Sequence, residues 1–596
     1  MNKYLLSLMV LLPLSTFVFA QDDADEEEVE EVVTTGIKSS LKDAIDIKRR
    51  NVGVVDAITA EDIGKFPDGN LAESLSRLVG VAIDRSNVEG SKVAVRGLGP
   101  EFNLVTLNGR QMPTVPGYYS GGRSFDFGDI SSHGVSAVEV YKSANAVLPS
   151  GGLGATINMV TTKPLDIGKT IGTFSVKAMV DTENEIGDEV TPEVDFVFAT
   201  VGEEFAGGQW GVSVSGTHQV RHNREEGTNE ITWLPSTSEN YLNPLATVTS
   251  SNARADGAFF YPQNIVFKHK DNERVRQNLQ TAFQYELGKV RATLDYTGST
   301  VEFTTTGVEH GTWFGGYEAR NVTINERGVA IKSDDVGGTD GNEFFNNITA
   351  GDATNRNTSI GLNIDIQVTD DLNITLDKHN SKASVKGHFG GSGLDNSLTF
   401  SNSRWLAAAN WCCAGGPYGA NGARVGTKAF DFSNGDVPTL SYQTFDEATG
   451  VARELIASDM APKEAILRYT EKMNDMNQTQ LIGNWDNSNG LIMDSLKRVQ
   501  FGYSEVSQTF RRSKAEEKLL QNKLGDGNPT NFGNVLTDDS IFTKVNLTNY
   551  LGSGSNVYYF AIPLQDAINS MERDGFFQAT SSDSQGQWWN VARAEK

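Results

Sequence analysis

The sequence predicts a mainly β protein, in which a small α/β domain precedes a large antiparallel transmembrane β-barrel. Three observations predict this fold class. The chain opens with an export signal. Its composition, with 60 Gly, 30 Phe and 16 Tyr in 596 residues, favours strands and turns over long helices. After residue 170, apolar and polar side chains alternate with a period of two.

The N-terminus predicts a cleaved signal peptide over residues 1–20. Lys3 precedes an apolar run from Tyr4 to Phe19, and Ala20 supplies the small residue behind which signal peptidase cuts. An uncleaved anchor is the alternative, but the run is short and an acidic segment follows at once. No later stretch approaches the length of a spanning helix. Any membrane crossing must therefore use a closed barrel, because lipid leaves no water to satisfy open strand edges.

Charge and residue counts exclude several classes of partner. The net charge of −25 and the pI near 4.8 argue against a nucleic-acid surface, which needs clustered Lys and Arg. The seven histidines are scattered and give no metal motif, so we expect neither a metal nor a cofactor. The two cysteines are neighbours, Cys412 and Cys413, and the sequence leaves open a strained vicinal bridge or two free thiols.

Residues 41–168 predict a compact α/β domain. Asn70 can cap a helix whose third residue is Glu73, with apolar residues on one face. Strands are expected at residues 93–97 and 104–109, at Val135 to Tyr141 and at Thr156 to Thr161. The second of these strands ends in the turn signal Asn108-Gly109. The glycines of the domain are expected to permit tight turns.

Residues 169–596 predict a partial barrel with long external loops. Two hairpins are clearest: one turns at Gly288-Lys289 and the other at Asp370-Asp371, and each puts apolar residues on one face and polar residues on the other. A soluble β-sandwich would alternate in the same way. Long polar connections at 221–275, 303–357 and 388–478 favour the barrel, whose external loops are long. The last connection includes a predicted helix, Ala452 to Met473.

Four segments in series match one family. They are Glu30 to Ile37, Pro67 to Leu75, Val95 to Asn103 with Leu107 to Arg110, and Gly151 to Asn158. The chain resembles TonB-dependent outer-membrane receptors, and within them a large subgroup associated with carbohydrate uptake. The resemblance is specific over residues 30–165. One departure is Thr34, where the subgroup usually has a further Val.

The resemblance implies a plug domain, residues 41–168, inside the lumen of a barrel that has 22 strands in the family. Only about ten strands are clear after residue 170, and the chain ends in Ala594-Glu595-Lys596, so we expect a C-terminally truncated sequence. The coupling residues, which would pair by strand addition with the TonB energy-transducing complex, are Val32, Val33, Thr34, Thr35 and Gly36. The plug motif residues are Arg96, Gly97, Asn108, Gly109, Arg110, Gly151, Gly152 and Gly154.

Arg96 lies in an apolar segment, and two interpretations stay open for it. It pairs with a carboxylate of the barrel wall and locks the plug, or it holds turns of the plug itself. Candidate ligand contacts are the loop aromatics, which suit sugar rings or ferric chelates but can also form the interfacial girdle of the barrel: Trp313, Tyr317, Trp405, Trp411 and Tyr418.

The function that the resemblance implies is active transport of a scarce nutrient across the Gram-negative outer membrane, without enzymatic chemistry. The nutrient is expected to be an oligosaccharide, with a ferric siderophore as the alternative. A secreted carbohydrate-binding protein or enzyme built from β-sandwiches is the rival from another class. The sequence offers no catalytic constellation to support an enzyme. Expected partners are the TonB complex, a small-molecule or oligosaccharide ligand and outer-membrane lipid, with no nucleic acid.

Overall fold

The structure is a computed structural model, and it describes the chain between residues 42 and 567. Segments outside the description are 60–69, 87–88, 116–122, 183, 185–186, 230–232, 237–241, 243–245, 255, 315–318, 337–343, 388, 391–393, 402–422, 434, 436, 447–448, 460, 489–494, 521–541 and 565. The α-helices described in the plug domain are α1 (42–50), α2 (Leu71–Leu75) and α3 (Pro164–Ile167). None of the helices in these ranges is long and apolar enough to cross a membrane.

The strands are numbered in chain order. They are β1 (Val55–Thr59), β2 (Val81–Ser86), β3 (Glu89–Val95), β4 (Leu104–Leu107), β5 (Arg110–Gln111), β6 (Val135–Tyr141), β7 (Thr156–Thr161), β8 (Ile171–Val180), β9 (Val190–Val201), β10 (Gln209–Asn229), β11 (Trp233–Ser236), β12 (Thr247–Ser250), β13 (Phe259–Pro262), β14 (Asn264–Leu287), β15 (Val290–Trp313), β16 (Ala319–Ile324), β17 (Ala330–Val336), β18 (Phe344–Gln367), β19 (Leu372–Gly387), β20 (Phe389–Gly390), β21 (Leu394–Ser401), β22 (Ala423–Asp431), β23 (Thr439–Asp446), β24 (Ala461–Asp486), β25 (Arg498–Leu520), β26 (Thr543–Thr548) and β27 (Asn556–Ala561).

The plug domain is built on a five-stranded sheet in the order β1-β6-β7-β4-β5, with the β2–β3 hairpin beside it. The Asn70 side chain accepts hydrogen bonds from the backbone N–H groups of Ala72 and Glu73, so the predicted helix cap is confirmed. Leu71 and Leu75 are fully buried in one apolar core with the sheet. The predicted strands Val135–Tyr141 and Thr156–Thr161 are also confirmed.

Eleven strands form a second, antiparallel sheet, here called the wall sheet. Its main path runs β20-β21-β24-β19-β18-β15-β14-β10-β9-β8, and β25 pairs with β24. Both predicted hairpins are present, with β14 joined to β15 at Gly288-Lys289 and β18 joined to β19 at Asp370-Asp371. Within the described residues β8 and β25 do not pair with each other, so the described sheet is open.

The two faces of the wall sheet differ sharply. On β14, Leu279 and Phe283 are 43% and 45% exposed, whereas Gln280 and Gln284 on the opposite face are 5% and 1% exposed. A soluble sandwich buries its apolar face, but this sheet exposes its apolar face and covers its polar face with the plug domain. That arrangement contradicts the β-sandwich alternative and fits a lipid-facing surface. The predicted fold class, mainly β with a plug domain and a barrel-type sheet, is confirmed.

Two sequence predictions about the connections are wrong. Strands β10, β14, β15, β18 and β24 have 21–26 residues, so they run through much of the segments predicted as loops. About ten residues suffice to span lipid. Beyond the part of each strand that spans lipid, the outer face is no longer apolar. The period-two alternation of apolar and polar residues is therefore lost there, although the backbone pairing between strands continues. The predicted helix over Ala452 to Met473 is mostly β24, because ladder pairing with β19 and β25 overrides helix propensity there.

Part of the predicted loops folds into a five-stranded sheet, β12-β16-β17-β22-β23, here called the cap sheet. The cap sheet lies at the end of the wall sheet that is distant from the tight turns. It has an apolar core of its own, which includes Tyr261, Phe314, Phe430 and Leu440. These connections are therefore packed structure with a fixed shape rather than bare linkers.

Candidate functional site

Most of the predicted coupling and ligand residues fall outside the described part of the chain. This applies to Val32, Val33, Thr34, Thr35 and Gly36, to Tyr317, Trp405, Trp411 and Tyr418, and to Cys412 and Cys413. Trp313 is described at the end of β15, where it is half-buried beside Phe345, and its carbonyl accepts a hydrogen bond from Lys428. The functional geometry that can be described lies between the plug domain and the wall sheet.

The turn between β4 and β5 presents one plug side chain to the wall. Asn108 and Gly109 have φ angles of 53° and 79°, the left-handed pair that an Asn-Gly hairpin turn requires. The Asn108 side chain accepts a hydrogen bond from the Thr161 backbone N–H at 3.0 Å, and the Gly109 N–H donates to Asn158 at 2.8 Å. The turn is thereby tied to β7, and the next residue, Arg110, points away from the plug.

Arg110 is held by two carboxylates of the wall sheet, a group here called the Arg110 cluster. Its Nη1 lies 2.7 Å from Asp295 on β15, and its Nη2 lies 2.7 Å from Asp377 on β19. The arginine side chain is 2% exposed, and the carboxylates are 6% and 5% exposed. A Cβ at Gly361 would overlap the guanidinium, so the glycine on β18 leaves the space that Arg110 fills.

The protonation state of Arg110 follows from these contacts. Burial alone would lower the pKa of its guanidinium, but the bonds to Asp377 and Asp295 outweigh burial and raise the pKa. The arginine is therefore charged at any physiological pH. Its two carboxylates face it through paired, charge-assisted hydrogen bonds.

Arg96 does not form the predicted lock with the wall. It follows β3 in a turn, with φ at 57°, and donates to the carbonyl of Leu153 at 3.1 Å and to that of Gly154 at 2.7 Å. This is the second of its two interpretations, an arginine that holds turns of the plug itself. The expectation of an apolar strand around Arg96 was wrong because β3 ends at Val95. The arginine that reaches the wall is Arg110.

The plug glycines serve backbone geometry. Gly97 and Gly151 have φ angles of 76° and 127°, where other residues are strained. A Cβ at Gly152 would collide with the Ala155 carbonyl, and one at Gly154 would collide with the Asn103 side chain. The loop they form carries the carbonyls that Arg96 needs.

A second plug–wall contact, the Glu89 cluster, places an acidic plug residue among basic residues of the wall sheet. Glu89 begins β3 and is 8% exposed. Arg276 of β14 lies 2.8 Å from it, Arg221 of β10 lies 3.3 Å from it, and Arg274 of β14 makes a close bidentate contact. This cluster was not predicted from the sequence, because Glu89 stands in no motif and its arginine partners follow it by more than 130 residues.

The electrostatics of Glu89 are dominated by these arginines. Burial alone would raise the pKa of Glu89, but Arg276 and Arg274 hold it at about 2, well below its ordinary value of 4.5. A lowered carboxylate pKa means that ionised Glu89 stabilises the seated plug above pH 4.5. This stabilisation is lost as the pH falls through 2.

Replacing Glu89 with Gln should therefore destabilise the plug by about 3 kcal/mol at neutral pH. The substitution keeps the shape but leaves Arg221, Arg274 and Arg276 without their anion. The difference from wild type should shrink by about half between pH 7 and pH 3. Calorimetric melting of both purified proteins in detergent at pH 7 and pH 3 measures this difference in stability. Glu101→Gln, at an exposed carboxylate of the same domain, is the matched control, and a pH-independent difference would contradict the assignment.

A cavity of about 460 Å³ lies next to the Glu89 cluster, between β3, the 127–129 turn of the plug and the inner face of β14, β15, β18, β19 and β24. Its size is within the usual range for ligand pockets. Glu89 and Arg274 line it together with Asp126, Asp129 and Thr470. The cavity and the Glu89 cluster therefore share side chains.

One known family model matches the plug domain. Residues 48–156 match the family model described as TonB-dependent Receptor Plug Domain. The matched segment contains Glu89 and Arg110, the plug residues at the centres of the two ion clusters with the wall sheet. The match supports a TonB-dependent receptor, a class of outer-membrane transport protein. No curated protein matches the chain.

Solved structures that resemble the chain have low sequence identity. The siderophore receptor PirA from Acinetobacter baumannii is 10% identical, over 78% of this chain and 92% of that chain, with a TM-score of 0.25. PirA from Pseudomonas aeruginosa is 12% identical over 78% and 87%, with a TM-score of 0.23. The ferric citrate transporter FecA in the unliganded form is 10% identical over 79% and 98%, with a TM-score of 0.23.

Proposed function

We propose that this protein is a TonB-dependent receptor that actively imports a scarce nutrient across the outer membrane of a Gram-negative bacterium. The observation that carries the proposal is a matched plug domain, held by buried ion clusters against the polar face of a sheet whose other face exposes apolar side chains. Such a plug closes the lumen at rest. We assign the protein no catalytic reaction.

Coupling to energy is proposed to act through Val32 to Gly36. These residues favour an extended strand, and an extended segment can add to the sheet edge of a periplasmic partner. We propose the TonB complex as that partner. Its pull would reach the plug through α1 and the edge strand β1, which pairs with β6 alone in the plug sheet. Export by the signal over residues 1–20 is part of the same proposal.

We propose an oligosaccharide as the nutrient, in line with the subgroup that the sequence resembles. The cavity supports this choice through its amide and hydroxyl lining, which includes Asn355, Asn357 and Ser384. A ferric siderophore is the second candidate. Lys92, Lys270 and Lys472 also line the cavity and would suit an acidic chelate.

Uptake measurements in cells test the function. A strain without the gene should lose growth on at least one member of a panel of trisaccharides and ferric chelates, and the cloned gene should restore it. Uptake of that nutrient in radiolabelled form should stop when a protonophore collapses the proton gradient, whereas binding of the nutrient to cells should persist. Uptake that continues at the same rate without the gradient would contradict active transport and indicate a passive pore.

A further inference from the structure

The cavity beside the Glu89 cluster has a distinct pair of acceptors on its plug side. Asp129 accepts hydrogen bonds from the wall amides of Asn355 and Asn357, at 3.2 and 2.9 Å. Asp126 accepts from the Gly128 N–H at 2.8 Å. Burial and the charge of Asp129 raise the pKa of Asp126 to about 7. Two carboxyl groups, Asp129 buried and Asp126 half-buried, therefore face one cavity, and their oxygens can accept further hydrogen bonds.

The wall side of the cavity has buried polar atoms that lack partners. Arg274 is 7% exposed and Thr470 is 4% exposed, and both line the cavity. Within the described residues, Nε of Arg274 and the Thr470 hydroxyl make no hydrogen bond. A buried polar atom without a partner is unfavourable, because it has lost its hydrogen bonds to water and has gained none in the protein. Each atom gains a partner if its side chain turns toward an occupant of the cavity.

The combination of these groups restricts the chemistry of the occupant. An anion has acceptors for Arg274 but is repelled by Asp126 and Asp129. A cation suits the two carboxyl groups but is repelled by Arg274 and by the lysines of the lining. A hydroxyl group donates and accepts through the same oxygen, so an uncharged molecule with several hydroxyls satisfies both sides at once.

We propose that this cavity binds a neutral, hydroxyl-rich ligand of oligosaccharide type through Asp126, Asp129, Arg274 and Thr470. The proposal rests on the proposed function, because the bound molecule is the solute to be imported. Arg274 belongs to both the ligand site and the Glu89 cluster. A ligand that draws on Arg274 weakens its hold on Glu89, so occupancy of the cavity loosens β3 from the wall sheet.

Calorimetric titration of the purified protein in detergent tests the site. The probes are maltotriose, cellotriose, xylotriose and chitotriose, with ferric citrate as the anionic comparison. At least one trisaccharide should bind to the wild type. Thr470→Val should weaken that binding about 3- to 10-fold. At pH 8, where Asp126 is mainly ionised, Asp126→Asn should weaken it at least about 10-fold, because a charge-assisted acceptor is lost.

Ser381→Ala is the matched control for Thr470→Val. Ser381→Ala on β19 also removes a buried hydroxyl that makes no hydrogen bond in the described part of the chain, but Ser381 does not line the cavity. It should bind the trisaccharide as the wild type does. Thr470→Val removes no hydrogen bond that the described residues make, so misfolding would not explain its effect. Binding of ferric citrate alone, or of no probe, overturns the proposed ligand class, and equal affinities of wild type and both cavity variants overturn the site.

Hydrogen exchange measures the coupling through Arg274. Saturating trisaccharide should speed amide exchange in the peptide that spans 89–95 and leave the peptide that spans 104–112 unchanged. No ligand-dependent change in 89–95 contradicts the coupling. These outcomes are separable from failure of the proposed function, because loss of gradient-dependent uptake is scored in cells and cavity binding is scored on purified protein.

Discussion

Replacing Arg110 with Met should unseat the plug near the tight turns of the wall sheet. The substitution leaves the carboxylates of Asp295 and Asp377 buried, close together and without their cation. Removing one partner of a buried ion pair typically costs about 3–5 kcal/mol. Here the orphaned groups are two like charges, so we expect a cost at the upper end of that range.

The consequence for the cell is a leaking pore. Cells that produce the Arg110→Met protein should become sensitive to vancomycin, which is too large for an intact outer membrane. Calorimetry of the purified variant should show the plug transition at a lower temperature, with the transition of the wall sheet unchanged. The two measurements separate a loosened plug from a protein that fails to assemble.

Two further variants make the Arg110 result interpretable. Arg110→Lys keeps the charge but loses the bidentate geometry, so it should fall between wild type and Met. The triple change of Arg110→Met, Asp295→Asn and Asp377→Asn removes the whole charge set and should regain most of the lost stability. A single Arg110→Met variant as stable and as impermeable as wild type would show that this cluster does not hold the plug.

The sequence predicted local features of this contact and not its partners. The Asn108-Gly109 turn is a short-range signal, since only a left-handed pair fits a two-residue hairpin, and it correctly marked the place from which Arg110 projects. Asp295 and Asp377 stand 185 and 267 residues further along the chain. No local pattern encodes such a distance.

Arg96 and Arg110 show why the sequence left two roles open for Arg96 and did not single out Arg110. Both lie in motif segments, and a strand through residues 93–97 would have buried Arg96. Instead the chain turns at φ of 57° directly after Val95, and Arg96 bonds to nearby carbonyls. Propensity does not report where a strand ends to within one residue, and that single residue decided which arginine met the wall.

The sequence predicted the wall strands only where the pattern of each single strand is sufficient. In the lipid band the apolar alternation is strict, so both hairpin turns were predicted at the right residues. Outside it, β14 continues as Asn264 to Val275 with polar residues on both faces. Strand structure there comes from ladder pairing with β10 and β15, which a single strand's pattern cannot reveal.

The two clusters together suggest how a plug can be both secure and removable. Arg110 sits between wall acids of β15 and β19 near the tight turns, and Glu89 sits among wall arginines of β10 and β14 further from those turns. The Glu89 cluster borders the cavity, whereas the Arg110 cluster does not. A ligand can therefore act directly on only one of the two clusters, and we expect release of the other to need mechanical work from the energised partner.

Replacing Val33 with Pro should abolish that mechanical work. Proline has no backbone N–H and a fixed φ, so the coupling segment could no longer add as a strand to the partner's sheet. We expect gradient-dependent uptake to fall to background, while ligand binding to whole cells stays at the wild-type level. Glu27→Pro places the same residue in the acidic segment outside the coupling residues and should leave uptake normal. Normal uptake by Val33→Pro cells at equal receptor abundance would show that energy reaches the plug by another route, since the two variants differ only in whether the proline interrupts the strand.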